Sequence, residues 1–141
     1  MMKVLIDTNV IIDYLADRGE FADNAERIFD LCEQNQLTGV ITASSITDIH
    51  YIMRKFVGRE KATENLKLLF TVFEIIDVGK TDLLRAMESA VTDFEDALVA
   101  VCAKRAKAEC IVTRNIAHFA NASVLPMEPG DFLARFFPDV E

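Results

Sequence analysis

Short apolar runs rich in β-branched residues recur along the chain, between longer stretches that place an apolar residue at every third or fourth position. The runs at Lys3–Ile6, Leu37–Thr42, Phe73–Val78, Glu109–Thr113 and Ser123–Met127 read as strands. The stretches at Asn9–Ala16, Phe21–Asn35, Ser44–Val57, Lys61–Phe73, Thr81–Val91, Phe94–Ala108 and Pro129–Phe137 read as helices. Ala25, Ile28, Phe29 and Cys32 fall at i, i+3, i+4 and i+7; Ile46, Ile49, Ile52, Met53 and Phe56 share a face of the next helix. Strands of this kind between amphipathic helices predict an α/β fold, a three-layer α/β/α sandwich around a central, mostly parallel sheet of about five strands. No repeat or linker interrupts the pattern, and 141 residues suit a single domain spanning 1–141.

In such folds the working site lies outside the carboxyl ends of the strands, at a topological switch point. That rule gives Asp7 a place, because it ends the apolar run VLI at the close of the first strand. Asp48 stands in the opening turn of a helix after the second strand. Asp93 and Asp96 open the strongest helix, three residues apart and so on neighbouring positions of one face. Thr113 and Asn115 end the fourth strand. Each has an ordinary alternative. Asp7 suits an Asx-turn before an Asn9 cap, Asp48 forms a capping-box spacing with Ser45, and Thr92 or Asp93 suits the cap of its helix. Asp96 is the exception, since it lies beside the stripe Val99, Ala100, Ala103, and an inward carboxylate is costly unless paired or bound. Glu95 points elsewhere on the wheel, toward solvent.

Composition narrows the reading. A net charge of −8 argues against a generic nucleic-acid binder and leaves either an acidic surface or an acidic metal site. Carboxylates converging on one cleft suit Mg²⁺ or Mn²⁺, hard cations that take oxygen ligands. The three cysteines, Cys32, Cys102 and Cys110, have no CxxC spacing and read as reduced core thiols. No apolar run approaches the roughly 20 residues of a membrane span, and the short N-terminal run broken by Asp7 is unlike a signal peptide, so a cytoplasmic location is expected.

The stretches VLIDTNVIIDYL, DFEDALVAVCAKR and CIVTRNIAHF, with an acidic residue early in the helix after the second strand, resemble the PIN domain family, the fold of many bacterial and archaeal VapC-like toxin ribonucleases. The resemblance runs in order from Lys3 to about Met127. It implies a metal-dependent endoribonuclease. Asp7 and Asp96 match the first and third acidic ligands, and Asp48 takes the second position, where Glu is commoner. Asp93 matches an additional acidic residue of some branches and joins Asp7 and Asp96 as a metal ligand. Thr8, Asn9 and Thr113 match residues that support the first ligand. Asn115 stands where many members have a fourth Asp, which favours one tightly held ion over two. The resemblance also implies an RNA substrate, a small antitoxin that fills the cleft, and a homodimer.

The residues then suggest roles. Asp7, Asp48 and Asp96 form the catalytic set, water is the nucleophile, and Asp48 orients or deprotonates it. His50 and His118 fall on solvent-facing positions, with His118 a candidate general acid. Basic residues cluster at Arg54, Lys55, Arg59 and Lys61 and again at Lys104, Arg105 and Lys107, and Arg114 is the leading candidate for a substrate contact. No aromatic interleaves these basic residues, so base stacking is not expected. The helices around Phe56 and Phe70, and the stretch Phe132–Phe137, suit either a partner surface or core. A catalytically weakened RNA- or protein-binding module of the same fold is the alternative, motivated by Asp48 and Asn115. Against a receiver-like domain, this chain lacks the acidic pair near the end of the first strand and the lysine after a later strand; against a haloacid-dehalogenase-like hydrolase, Asp7 is followed by Thr-Asn with no second Asp two residues on.

Overall fold

The computed structural model describes residues 1–138. The expectation of one domain over 1–141 therefore includes residues 139–141, which lie outside the described residues. Strands β1 (Lys3–Ile6), β2 (Thr38–Thr42), β3 (Glu74–Ile76), β4 (Cys110–Val112) and β5 (Leu125–Met127) form one sheet in the order β3-β2-β1-β4-β5. Every pairing is parallel, with Val4 opposite Gly39 and Leu5 opposite both Val40 and Ile111. Helices α1 (Thr8–Leu15), α2 (Glu20–Glu33), α3 (Ala43–Val57), α4 (Arg59–Val72), α5 (Lys80–Met87), α6 (Phe94–Arg105) and α7 (Pro129–Phe136) surround it.

The alternation of side chains along β1 divides the core between the two faces. Val4 and Ile6 pack with α1, α2, α3, α4 and α7 through Ile11, Phe29, Ile49, Leu69 and Phe132. Leu5 packs on the other face with α5 and α6 through Ala86, Ala97 and Cys102. The result is the expected α/β/α sandwich with a central parallel sheet. Helix α6 shows apolar residues nearly all round because it is sandwiched, with Ala97, Leu98, Val99, Ala100, Cys102 and Ala103 all buried.

Element ends differ from the sequence expectation for local reasons. The third and fifth strands are shorter, and a 3₁₀ turn at Ile116–Phe119 was not anticipated. Helix α4 starts at Arg59, directly after Gly58, whose φ of 84° separates it from α3. Gly39 answers a different demand, since a Cβ there would stand 2.7 Å from the Phe73 ring and 2.8 Å from Cys32 Sγ. The cap assignments also change: α1 is capped by Asp7, not Asn9, and α3 by Thr42, whose Oγ1 accepts from Ser45 N–H at 3.2 Å. All three cysteines are buried thiols, and burial pushes Cys32 and Cys110 up to about 12. Phe132 and Leu133 belong to the core, whereas Phe56, Phe70 and Phe136 stay exposed.

Candidate active site

The ladder continues one step beyond the strands and thereby builds the site. Asp7 N–H donates to the Val112 carbonyl at 3.0 Å, and Thr113 N–H donates to Met127 at 2.9 Å. This brings Asp7 and Thr113, which are 106 positions apart, side by side at the carboxyl edge of the sheet. Thr113 Oγ1 donates to Asp7 Oδ2 at 2.8 Å, and Asn9 Nδ2 donates to the same oxygen at 3.3 Å. Thr8 N–H donates to Oδ1 at 2.8 Å, which makes Asp7 the α1 cap. Thr113 Oγ1 in turn accepts from Asn115 N–H at 3.0 Å, and Asn9 Oδ1 accepts from Arg114 N–H at 3.3 Å. The turn and ligand readings of Asp7 are thus compatible. A carboxylate has roughly four lone-pair sites, so three donors leave about one for the cleft.

That cleft has a volume of about 750 Å³ and is lined by Asp7, Thr8 and Asn9 from one side, Ser44, Ser45, Thr47, Asp48 and Tyr51 from α3, and Phe94, Glu95 and Asp96 from α6. Asn115 closes its floor. Helix α3 starts directly after β2 and α6 runs back to the start of β4, so the first turns of both helices line one cleft with Asp7. Asp48 is exposed on the α3 wall. Glu95, expected to point away, lines the cleft, because both Glu95 and Asp96 belong to the first turn of α6.

Burial raises the Asp7 pKa above the ordinary 3.8, against the lowering effect of the Thr113 and Thr8 hydrogen bonds. Asp96 is also raised, by burial first, then by Asp93 and Asp7, with His118 opposing. The His118 Nδ1 lies 3.4 Å from Asp96 Oδ2. Two carboxylates whose charged forms are disfavoured by burial, and for Asp96 also by the neighbouring charges of Asp93 and Asp7, fit a hard divalent cation, which would offset both effects. Among the described residues no group of three or more His, Cys, Asp or Glu side chains is gathered into a ready cage. Asp7 and Asp96 offer the cleft oxygen donors of the kind a hard ion such as Mg²⁺ takes, and such an ion keeps several waters beside a few carboxylates.

Two expected site residues make other contacts in the structure. Asp93 Oδ1 accepts from Asp96 N–H at 3.0 Å, which makes it the α6 cap, and it lines a neighbouring cavity, not the main cleft. Arg114, expected at the substrate, donates Nε at 2.6 Å and Nη2 at 3.0 Å to Asp13. Asp13 is only 1% exposed, and the Arg114 guanidinium also lies 4.2 Å from the Phe21 ring centre. The cation in the main cleft is instead Arg18, which shares Asp13 at a looser 3.7 Å. Sequence pattern carried no signal for Arg18, which sits after Asp17 in a tight turn with φ of 51°. Tyr51 corrects the expectation about stacking. Helical spacing brings Lys55 to 4.2 Å and Arg54 to 5.4 Å from its ring centre, so an aromatic does accompany those cations, and it lines the cleft with Phe94.

A parallel sheet that delivers a held carboxylate to a cleft flanked by acidic helix starts defines an α/β domain with a site at its switch point. The PIN domain family matches residues 3–117, and the chain belongs to that family. Over 118 residues it is 26% identical to Ribonuclease VapC1 of Aquifex aeolicus (strain VF5), covering 80% of this chain and 81% of that protein. Two solved structures share the fold. One is VapBC2 from Rickettsia felis bound to a DNA fragment from their promoter, with a TM-score of 0.72, 19% identity, and coverage of 90% of this chain and 98% of that one. The other is Mycobacterium tuberculosis VapC20, a Sarcin-Ricin loop cleaving toxin, with a TM-score of 0.68, 13% identity, and coverage of 83% and 93%.

Proposed function

We propose that the protein is an endoribonuclease that hydrolyses RNA phosphodiesters with water, using Mg²⁺ or Mn²⁺. The observation that carries this reading is the pairing of Asp7 and Asp96 in one cleft, each with its pKa raised partly by burial. These two carboxylates would hold the ion. A bound divalent ion supplies Lewis acidity to the phosphodiester and makes a nearby water more acidic. Thr8, Asn9, Thr113 and Asn115 keep Asp7 aimed. Asp48, on the facing wall, accepts the proton of the attacking water at its carboxylate. Arg18 meets a non-bridging phosphate oxygen, the role first considered for Arg114, and His118, beside Asp96, protonates the leaving oxygen. Asp93 acts on Asp96 through its charge and through the cap.

RNA cleavage by purified protein is expected to require Mg²⁺ or Mn²⁺, to stop in EDTA, and to fall by at least about 10²-fold in Asp7→Asn and Asp96→Asn. Wild-type protein that leaves a broad RNA panel intact with either metal, and shows no divalent-ion binding by calorimetry, would instead be the binding module, a reading that the exposed Asp48 favours. The VapBC neighbour and the VapC1 relative support a toxin role with a small antitoxin as partner. The exposed Phe56 and Phe70 supply apolar surface for that partner or for a homodimer. No helix among the described residues is long and apolar enough to cross a membrane, in keeping with a cytoplasmic ribonuclease.

A further inference from the structure

A second cavity, of about 610 Å³, lies along α6 away from the acidic cleft. Its lining includes Arg85 from α5, Lys104 and Arg105 from α6, and Ser89, Asn121 and Ser123 from the loops. Three cations and three uncharged hydrogen-bonding side chains line it, and no carboxylate does. On a chain of net charge −8 that is a local reversal of sign. Arg105 is committed, since its Nε donates to Asp82 at 2.9 Å and its Nη2 to the Asp77 carbonyl at 2.6 Å. Arg85 and Lys104 are exposed and, among the described residues, form no ion pair.

The cavity neighbours the site through a smaller one. Asn121 also lines the smaller cavity that holds Asp93, Asp96 and His118. The two cavities therefore share a wall residue, and together they follow one side of α6 from its acidic start to its basic end. Eight residues of helix separate Asp96 from Lys104, about 12 Å at 1.5 Å per residue, a distance that a few nucleotides of single strand cover. A phosphodiester chain has the charge to meet Lys104 and Arg85, of which Arg85 also lies in the field of Asp82, and hydroxyl and amide groups satisfy its oxygens.

We propose that this basic cavity is a second phosphate site, which holds the backbone of single-stranded RNA where it leaves the acidic cleft past His118 and Asn121. The assignment rests on the ribonuclease reading and adds the path of the substrate to it. It also explains how so acidic a protein retains an anionic polymer: the carboxylates occupy one end of α6 and the cations the other.

The test measures binding of a fluorescent single-stranded RNA of about ten nucleotides across a salt series, with Ca²⁺ replacing Mg²⁺. Lys104→Ala should flatten the plot of log Kd against log salt by about 0.7, and the Arg85→Ala/Lys104→Ala double variant by about 1.4, the loss of one and two phosphate contacts. Lys67→Ala makes the same charge change on the exposed side of α4 and should leave the slope where it was. Wild-type binding with an unaltered slope in the double variant overturns the proposal and leaves the ribonuclease reading standing. So does competition by polyglutamate as effective as that by RNA, which would make the cavity a site for acidic protein segments. If the wild type neither binds nor cleaves RNA, both readings fall together.

Discussion

Among single residues, Asp7 and Asp96 differ in how the fold holds them. Asp7 accepts three hydrogen bonds, including the α1 cap, so replacing it removes structure as well as charge. Among the described residues, Asp96 has His118 as the one cationic partner of its carboxylate, at 3.4 Å. Its folded pKa lies above 3.8, so its contribution to stability is fully present below 3.8 and is lost as pH rises through the folded value. In EDTA near neutrality, Asp96→Asn is therefore expected to raise the melting temperature by roughly 1–3 °C, although the same change lowers cleavage when the metal is present. The gain should vanish as pH falls below 3.8, as a calorimetric pH series would reveal. Arg114→Ala should act in the opposite sense. It leaves Asp13 buried with only the distant Arg18, and should cost about 3 kcal/mol in denaturant unfolding. A variant of normal stability with a raised KM for RNA would return Arg114 to the substrate. Asp7 was legible because it interrupts an apolar strand. Asp13 was not, because an aspartate at that helical position reads the same whether its partner is an arginine 101 residues away or water.

Helix α6 concentrates the contest between structural and chemical uses of a carboxylate. Asp93 caps it, and its exposed carboxylate lies outside the main cleft. Asp93→Ala should lower stability by about 1 kcal/mol, whereas Asn preserves the cap and most of that stability. Titration of activity with Mg²⁺ should find Asp93→Asn shifted less than about tenfold, because it alters only the charge near Asp96. A loss as complete as that of Asp96→Asn would restore Asp93 to the ligand set. The helices themselves were readable from their 3.6-residue period, and the strands from β-branched runs. Their ends were not, since they depend on caps such as Thr42 and on Gly58, where side-chain hydrogen bonds and backbone angle outweigh apolar periodicity. The 3₁₀ turn at Ile116–Phe119 escaped for the same reason. It buries Phe119, whereas Ile116 stays exposed, and a single buried apolar anchor has no period.

For the molecule as a whole, the sequence disclosed the layers and the sheet edge where the site belongs. It did not disclose that Arg18 reaches that edge, nor that Arg85 comes beside Lys104 farther along α6, because these neighbours arise only through tertiary packing. Strand order was likewise invisible to pattern, and it carries a consequence for how the protein is made. Strand β1 emerges first from the ribosome, yet one of its two neighbours is β4, at residues 110–112. The N-terminal β1-β2-β3 portion can pair while synthesis continues, since chains fold from the N-terminal side as they appear. The Thr113 hydroxyl that holds Asp7, and the α6 start that brings Asp96, arrive only after most of the chain is translated. A nascent chain thus carries half a sheet and one unsupported carboxylate. The two sides of the site therefore meet only once residues 94–113 have joined the N-terminal strands.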